Sequence, residues 1–175
     1  MTDPPLGFRI TGPCTGERKL IDWHRAFAAY CAADVPGGVE HEAYLSAFQL
    51  GDAFRDHLHR TGSTKGYDGP CGASWLWFDI DRADDVESGL GDARTLCVQL
   101  AERFAVADES LLVFYSGAKG FHVGLPLGGF TPALGPMFHR TARRFAEQVA
   151  EEVGIVIDAG VYDRVRAFRA PNSRH

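Results

Sequence analysis

Three clusters in this chain combine residue types and spacings that could do chemistry. The first is Asp79-Ile80-Asp81, which follows the run Trp75-Leu76-Trp77-Phe78. Alternate residues of an extended strand share a face and each residue advances roughly 3.3 Å, so the two aspartates project together about 6 to 7 Å apart at Cα. Both could reach one ion. Hard carboxylate oxygens on a strand suit Mg²⁺ or Mn²⁺, which take a few carboxylates and fill their remaining positions with water and substrate phosphates. The preceding apolar run sharpens this, because a carboxylate placed there is costly without a partner. A solvated strand-end pair held by Arg82 or a neighbour explains the same residues without a metal.

The second cluster, Ser116-Gly117-Ala118-Lys119-Gly120-Phe121-His122, offers a hydroxyl, backbone N–H groups in a glycine turn, a cation and an imidazole within one short segment. Such groups suit a triphosphate. Strands flank the segment and the Walker spacing is absent, so P-loop chemistry is not expected. A plain hairpin with His122 as a sheet histidine is the bland account. The third cluster is Asp158, at the end of Ile155-Val156-Ile157, followed by Arg164, Arg166 and Arg169. Asp158 reads either as a third metal ligand with arginine forks on phosphates, or as a strand-end aspartate paired with one arginine.

The elements that must position these residues follow from periodicity. Leu20, Trp23, Phe27, Tyr30 and Cys31 predict a helix over Lys19–Asp34, broken by Val35-Pro36-Gly37-Gly38. Tyr44, Leu45, Phe48, Phe54 and Leu58 predict a second helix over Glu40–Leu58, and Thr61–Pro70 is a loop of turn formers. Then come a strand at Trp75–Asp81, a helix over Asp92–Phe104, a strand at Leu111–Tyr115, and a hairpin into Phe121–Leu125. A helix on the stripe Phe138, Ala142, Phe145, Val149 and Val153 closes at Gly154, and Ile155–Asp158 reads as a short strand. The order βαββαβ after a helical N-terminal part predicts a split βαβ sheet of the ferredoxin-like or RNA-recognition type.

Composition bounds the function. At 175 residues, 45% hydrophobic and 23% charged, one globular domain spanning 1–175 is expected, with an N-terminal part at 1–70 and a motif-bearing part at 71–175. No membrane span and no leader pattern are seen, so a cytoplasmic location is expected. Cys14, Cys31, Cys71 and Cys97 are scattered, which argues against a disulfide framework or zinc ribbon. A net charge of -5 argues against bulk electrostatic coating of nucleic acid. From Arg140 onward, however, the chain carries seven arginines and five carboxylates.

In order, Trp75–Asp81, Ser116–His122 and Ile157–Arg169 resemble the three motifs of the archaeo-eukaryotic primase superfamily, with the primase-polymerases as the nearest branch. The resemblance covers Trp75 to His175. It implies an α+β fold in which an RNA-recognition-like antiparallel sheet with packed helices faces an N-terminal helical or α/β part across a catalytic cleft. It implies Asp79, Asp81 and Asp158 as catalytic ligands of two Mg²⁺ or Mn²⁺ ions, and Ser116 and His122 as nucleotide-binding residues. Lys119 and Arg169 are the implied phosphate contacts, and Gly120 and Arg166 are implied as nucleotide-binding residues with them. Some relatives place the motif serine two residues before the histidine, where this chain has Gly120. The chain also ends where relatives continue, and is expected to be a piece of a longer replication protein or a minimal form.

The reaction expected is template-directed nucleotidyl transfer, as a DNA primase, a DNA polymerase or both. The expected partners are nucleoside triphosphates, a single-stranded template or primer-template, and a helicase or other replication protein. Two rivals remain at this point. A non-catalytic single-strand-binding module would stack bases on Trp75 and Trp77, and a metal-dependent nuclease would use the same carboxylates.

Overall fold

The chain folds as an α+β protein in which the strand pairings of both sheets are antiparallel. The computed structural model describes residues 5–33, 39–82, 85–117, 120–128 and 134–174. It divides into two units: Met1–Ala73 with Ala133–His139 and Asp163–His175, and Ser74–Pro132 with Arg140–Tyr162. The break after Ala73 lies just beyond the glycine-rich loop. The arginine-rich end is not contiguous with the motif-bearing part, because from Asp163 onward it belongs to the first unit.

In the first unit, β1 (Leu6–Thr11) pairs with β2 (Lys19–Asp22), β3 (Ala43–Ser46) and β4 (Gln49–Leu50). β4 pairs in turn with β5 (Cys71–Gly72), and β3 with β9 (Ala167–Arg169). Two helices, α1 (Trp23–Cys31) and α2 (Asp52–Thr61), flank β1. Phe8 packs on Phe54 of α2 with ring centroids 6.0 Å apart, whereas a Cβ on Gly7 would lie 2.5 Å from the Trp23 ring of α1. Successive strand residues face opposite ways, so the two helices cover opposite faces.

Two sequence expectations fail here. The helix expected from Lys19 starts at Trp23, because Lys19–Asp22 is β2 and the Asp22 carboxylate caps the helix by accepting the Arg25 N–H at 3.0 Å. Asp22→Ala should therefore lower stability by about 1 kcal/mol, visible as a shifted urea midpoint with an unchanged slope. The helix expected over Glu40–Leu58 is instead β3, β4 and then α2 after Gly51. Short apolar runs fit either period, and pairing with β1 decided for strand. The expected break at Val35–Gly38 lies outside the described residues.

The second unit holds β6 (Trp75–Asp81), α3 (Val86–Phe104), β7 (Leu112–Tyr115), β8 (Gly120–Pro126) and, from Arg140 on, α4 (Phe138–Val153). Its sheet has the order β6-β8-β7. Leu76, Phe78, Ile80, Val123 and Leu125 are all buried on one face. α3 covers that face, with a Cβ on its Gly89 falling 3.7 Å from Phe121, and Phe145 of α4 meets Phe104 at 5.6 Å. α3 starts six residues before the expected Asp92. Asp85 caps it by accepting the Ser88 N–H at 2.9 Å, and the polar, glycine-bearing first turns hide the period.

The fourth strand expected at Ile155–Asp158 does not form. α4 ends with Gly154 at φ +79°, and the N–H groups of both Gly154 and Ile155 donate to Ala150 O, at 2.9 and 3.0 Å. Closing the helix uses the Ile155 donor, and Val156 is left 66% exposed. The segment's last residue, Asp158, reaches the edge of β6, where its N–H donates to Asp79 O at 2.7 Å.

Candidate active site

β6 and β8 bring the first two clusters together through register. Asp79 lies opposite His122, which lies opposite Phe114 of β7; Trp77 lies opposite Gly124. The Asp79 carbonyl is turned away from β8, toward Asp158. Asp79 and His122 therefore form a non-hydrogen-bonded antiparallel pair, the kind in which facing side chains come closest. His122 Nε2 stands 3.2 Å from Asp79 Oδ1, with the two side chains 8% and 14% exposed.

That contact is within ion-pair distance but forms no hydrogen bond, and Asp79 Oδ1 is buried. A desolvated carboxylate oxygen with no donor is costly, and a cation would relieve it. Asp79 thus offers one desolvated carboxylate oxygen, with the His122 imidazole beside it, as the group an ion would meet here. Asp81, two residues on, is exposed at the strand end opposite Gly120. Asp158 is half-buried, and its Oδ1 accepts the Gly160 N–H at 2.8 Å. Among the described residues, no three His, Cys, Asp or Glu side chains form a metal-holding group. Asp79 and Asp158 are adjacent through their backbones, and the Asp158 carboxylate is oriented by its own turn.

The hairpin residues are engaged with one another. Ser116 N–H donates to Gly120 O at 2.8 Å, and Ser116 Oγ accepts the Gly120 N–H at 3.1 Å. Ser116 therefore closes the turn. Gly120 has a steric reason to be glycine, since a Cβ there would fall 1.7 Å from Ile80 O. Lys119 lies outside the described residues.

Arg166 and Arg169 belong to the first unit. Arg166 is exposed, and its carbonyl accepts the Ala47 N–H at 2.8 Å. Arg169 Nη2 donates to Tyr44 Oη at 3.0 Å and stands 3.4 Å from Glu42 Oε1, while Nη1 donates to Arg174 O at 3.1 Å. Its guanidinium also lies over the Tyr44 ring at 4.9 Å. Burial and the hydrogen bond to Glu42 push the Tyr44 phenol up to about 12. Arg164, also in this unit, donates to Tyr67 O at 3.1 Å and Pro136 O at 2.8 Å.

Sequence reasoning passed over Tyr162. It is 3% exposed, and its hydroxyl donates to Trp77 O on the same outer edge of β6 that Asp158 reaches. A lone tyrosine in a non-periodic stretch carries no pattern that would have marked it. A cavity of about 320 Å³ in this unit lies elsewhere, between α3 and β7, lined by Leu90, Ala93, Cys97, Val98, Leu111 and Val113. Its walls carry none of the expected site residues. Cys71 stands 4.0 Å from His139 Nδ1, and burial pushes its thiol up.

No family model, curated protein or solved structure matches this chain. Among the described residues, no helix is long and apolar enough to cross a membrane.

Proposed function

We propose that this protein carries out template-directed nucleotidyl transfer, as a DNA primase or polymerase, at a divalent-metal centre on the outer end of β6. The observation that carries the reading is the buried Asp79 Oδ1, which lacks a hydrogen bond while Asp158 is tied to the same residue's backbone. Asp79, Asp81 and Asp158 would hold Mg²⁺ or Mn²⁺. When bound, such ions lower the pKa of an attacking hydroxyl and neutralise charge on a departing pyrophosphate.

The protein's own groups contribute position and electrostatics. Asp79 is held in place by the β6–β8 register, and His122 presents Nε2 beside it on the same sheet face. His122 would donate to a triphosphate oxygen, with Ser116 and Gly120 setting the hairpin next to it, and Lys119 as the further cation of that motif. No protein nucleophile takes part. Nucleoside triphosphates, a single-stranded or primed template, a replication partner such as a helicase, and a cytoplasmic location go with this reading.

The base-stacking rival fares worse. Stacking needs exposed aromatic faces, but Trp77 is 3% exposed with its ring against Gly124, where a Cβ would fall 2.5 Å away, and the half-buried Trp75 has its ring stacked on Trp77 at 6.1 Å. The decisive assay is primed and primer-free extension on single-stranded template with Mn²⁺ or Mg²⁺, comparing wild type with an Asp79→Ala, Asp81→Ala double variant. Extension products are expected from wild type alone. Shortened oligonucleotides without added nucleotide would replace the reading with a nuclease, and tight metal-free single-strand binding with no product would replace it with a binding module.

A further inference from the structure

β6 has one edge paired to β8 and, among the described residues, no strand on the other. On that outer edge the carbonyls of Trp77 and Asp79, two residues apart, point the same way. Each is met from the short turn that follows α4: Tyr162 Oη donates to Trp77 O, and Asp158 N–H donates to Asp79 O at 2.7 Å. Two hydrogen bonds thus stand where a fourth strand would supply a ladder. The turn between them is a 3-10 helix over Ala159–Tyr162, tightened by the Gly160 N–H on Asp158 Oδ1 and the Val161 N–H on Asp158 O at 3.5 Å.

We propose that Tyr162 is a positioning residue for the metal centre: its hydroxyl, anchored on Trp77 O, locks the 158–162 turn against β6 so that the Asp158 carboxylate stands ready beside Asp79. This rests on the reading of Asp79 and Asp158 as metal ligands. With a single anchor the turn can pivot about the Asp158–Asp79 backbone bond, and the carboxylate orientation set by Gly160 moves with it. With both anchors, the spacing of the two β6 carbonyls is imposed on the turn. Burial, with the Asp79 and Glu147 carboxylates nearby, pushes the phenol up from its ordinary value, the direction that keeps its hydroxyl a donor. Outer partners that hold metal ligands in place act this way, and their loss weakens the metal without removing a ligand.

The test is Mn²⁺ titration of the full chain, followed by the electron paramagnetic resonance signal of free Mn²⁺, well below the melting temperature. Tyr162→Phe keeps the buried ring and deletes the anchor. Its Mn²⁺ affinity is expected to fall roughly 10- to 100-fold while its far-UV circular dichroism matches wild type. A lower melting temperature with unchanged Mn²⁺ affinity would make Tyr162 merely structural and overturn the proposal. Gly160→Ala provides a second variant if Tyr162→Phe does not fold. An added Cβ there meets Asp158 Oδ1 at 3.0 Å and Oδ2 at 3.3 Å, so it displaces the carboxylate while leaving Tyr162 intact. It too should lose Mn²⁺ affinity, and wild-type affinity in that variant would count against the turn's role. Asp79→Asn in the same titration separates the two levels. If it binds Mn²⁺ like wild type, the metal-centre reading itself fails; if it loses Mn²⁺ while Tyr162→Phe keeps it, only the role of Tyr162 fails.

Discussion

Asp79→Asn should abolish extension while making the metal-free protein more stable. Asparagine keeps the shape of the side chain, so the β6–β8 register and the 3.2 Å approach of His122 Nε2 can persist. What changes is charge. In the wild type a carboxylate oxygen is buried with no hydrogen bond, on a side chain only 14% exposed. Exchanging it for a neutral amide removes a desolvated charge, which should raise stability by about 1 kcal/mol, or roughly 2–4 °C in Tm for a chain of this size.

Activity should move the other way. Loss of an outer-shell partner already costs roughly 10- to 100-fold, and loss of a direct ligand should exceed that. Mn²⁺ should also raise the Tm of wild type and leave that of Asp79→Asn unmoved, since only a protein that binds the ion gains by mass action. Differential scanning calorimetry with and without Mn²⁺ reads both effects. A lower metal-free Tm in the variant would mean that Asp79 is held by a protonated His122 as an ordinary buried ion pair, and the site would lose its claim to a metal. Gain of stability on loss of function is the signature of a residue kept for chemistry.

Gly120→Ala should be the most damaging single-methyl change in the second unit. The added Cβ would fall 1.7 Å from Ile80 O, 2.8 Å from Ile80 C and 3.1 Å from Asp81 Cα. All three are backbone atoms of β6, and backbone cannot step aside as the tip of a flexible side chain can. The sheet must open at the end that carries Asp79 and Asp81, at a cost of about 3 kcal/mol or more. Gly128→Ala is the control, because a Cβ there meets nothing within 4 Å, and it should stay within about 0.5 kcal/mol of wild type. Urea unfolding of the three proteins measures the difference. A Gly120→Ala midpoint close to wild type would mean that β8 does not approach β6 this closely. The same substitution should reduce extension, through displacement of Asp81 rather than through any contact of Gly120 with nucleotide.

What could be read from sequence was what local periodicity encodes. Trp75–Asp81 is a strand with its aspartates on one face, and α4 runs over Phe138–Val153 as its apolar stripe requires. In both, one pattern persists long enough to exclude the other period, and flanking turn formers mark the ends. The segment 43–50 defeated the same reasoning. Its apolar residues suit a helix until β1 is present to take up their backbone groups, and nothing local announces β1 as the partner. Ile155–Asp158 failed for the converse reason: it looks like a strand, but the close of α4 takes the Ile155 N–H.

The chemistry divides along the same line. Which residue types could bind metal and phosphate was legible from Asp79, Asp81, Ser116, His122 and Asp158, because side-chain chemistry belongs to the residue itself. Tertiary structure alone decided that His122 faces Asp79, that Asp158 and Tyr162 meet the open edge of β6, and that Arg169 returns to pair beside Tyr44 in the first unit. Register and edge contacts join residues far apart in the chain. Their energy appears only once the intervening loops have closed, so no window of neighbouring residues contains it.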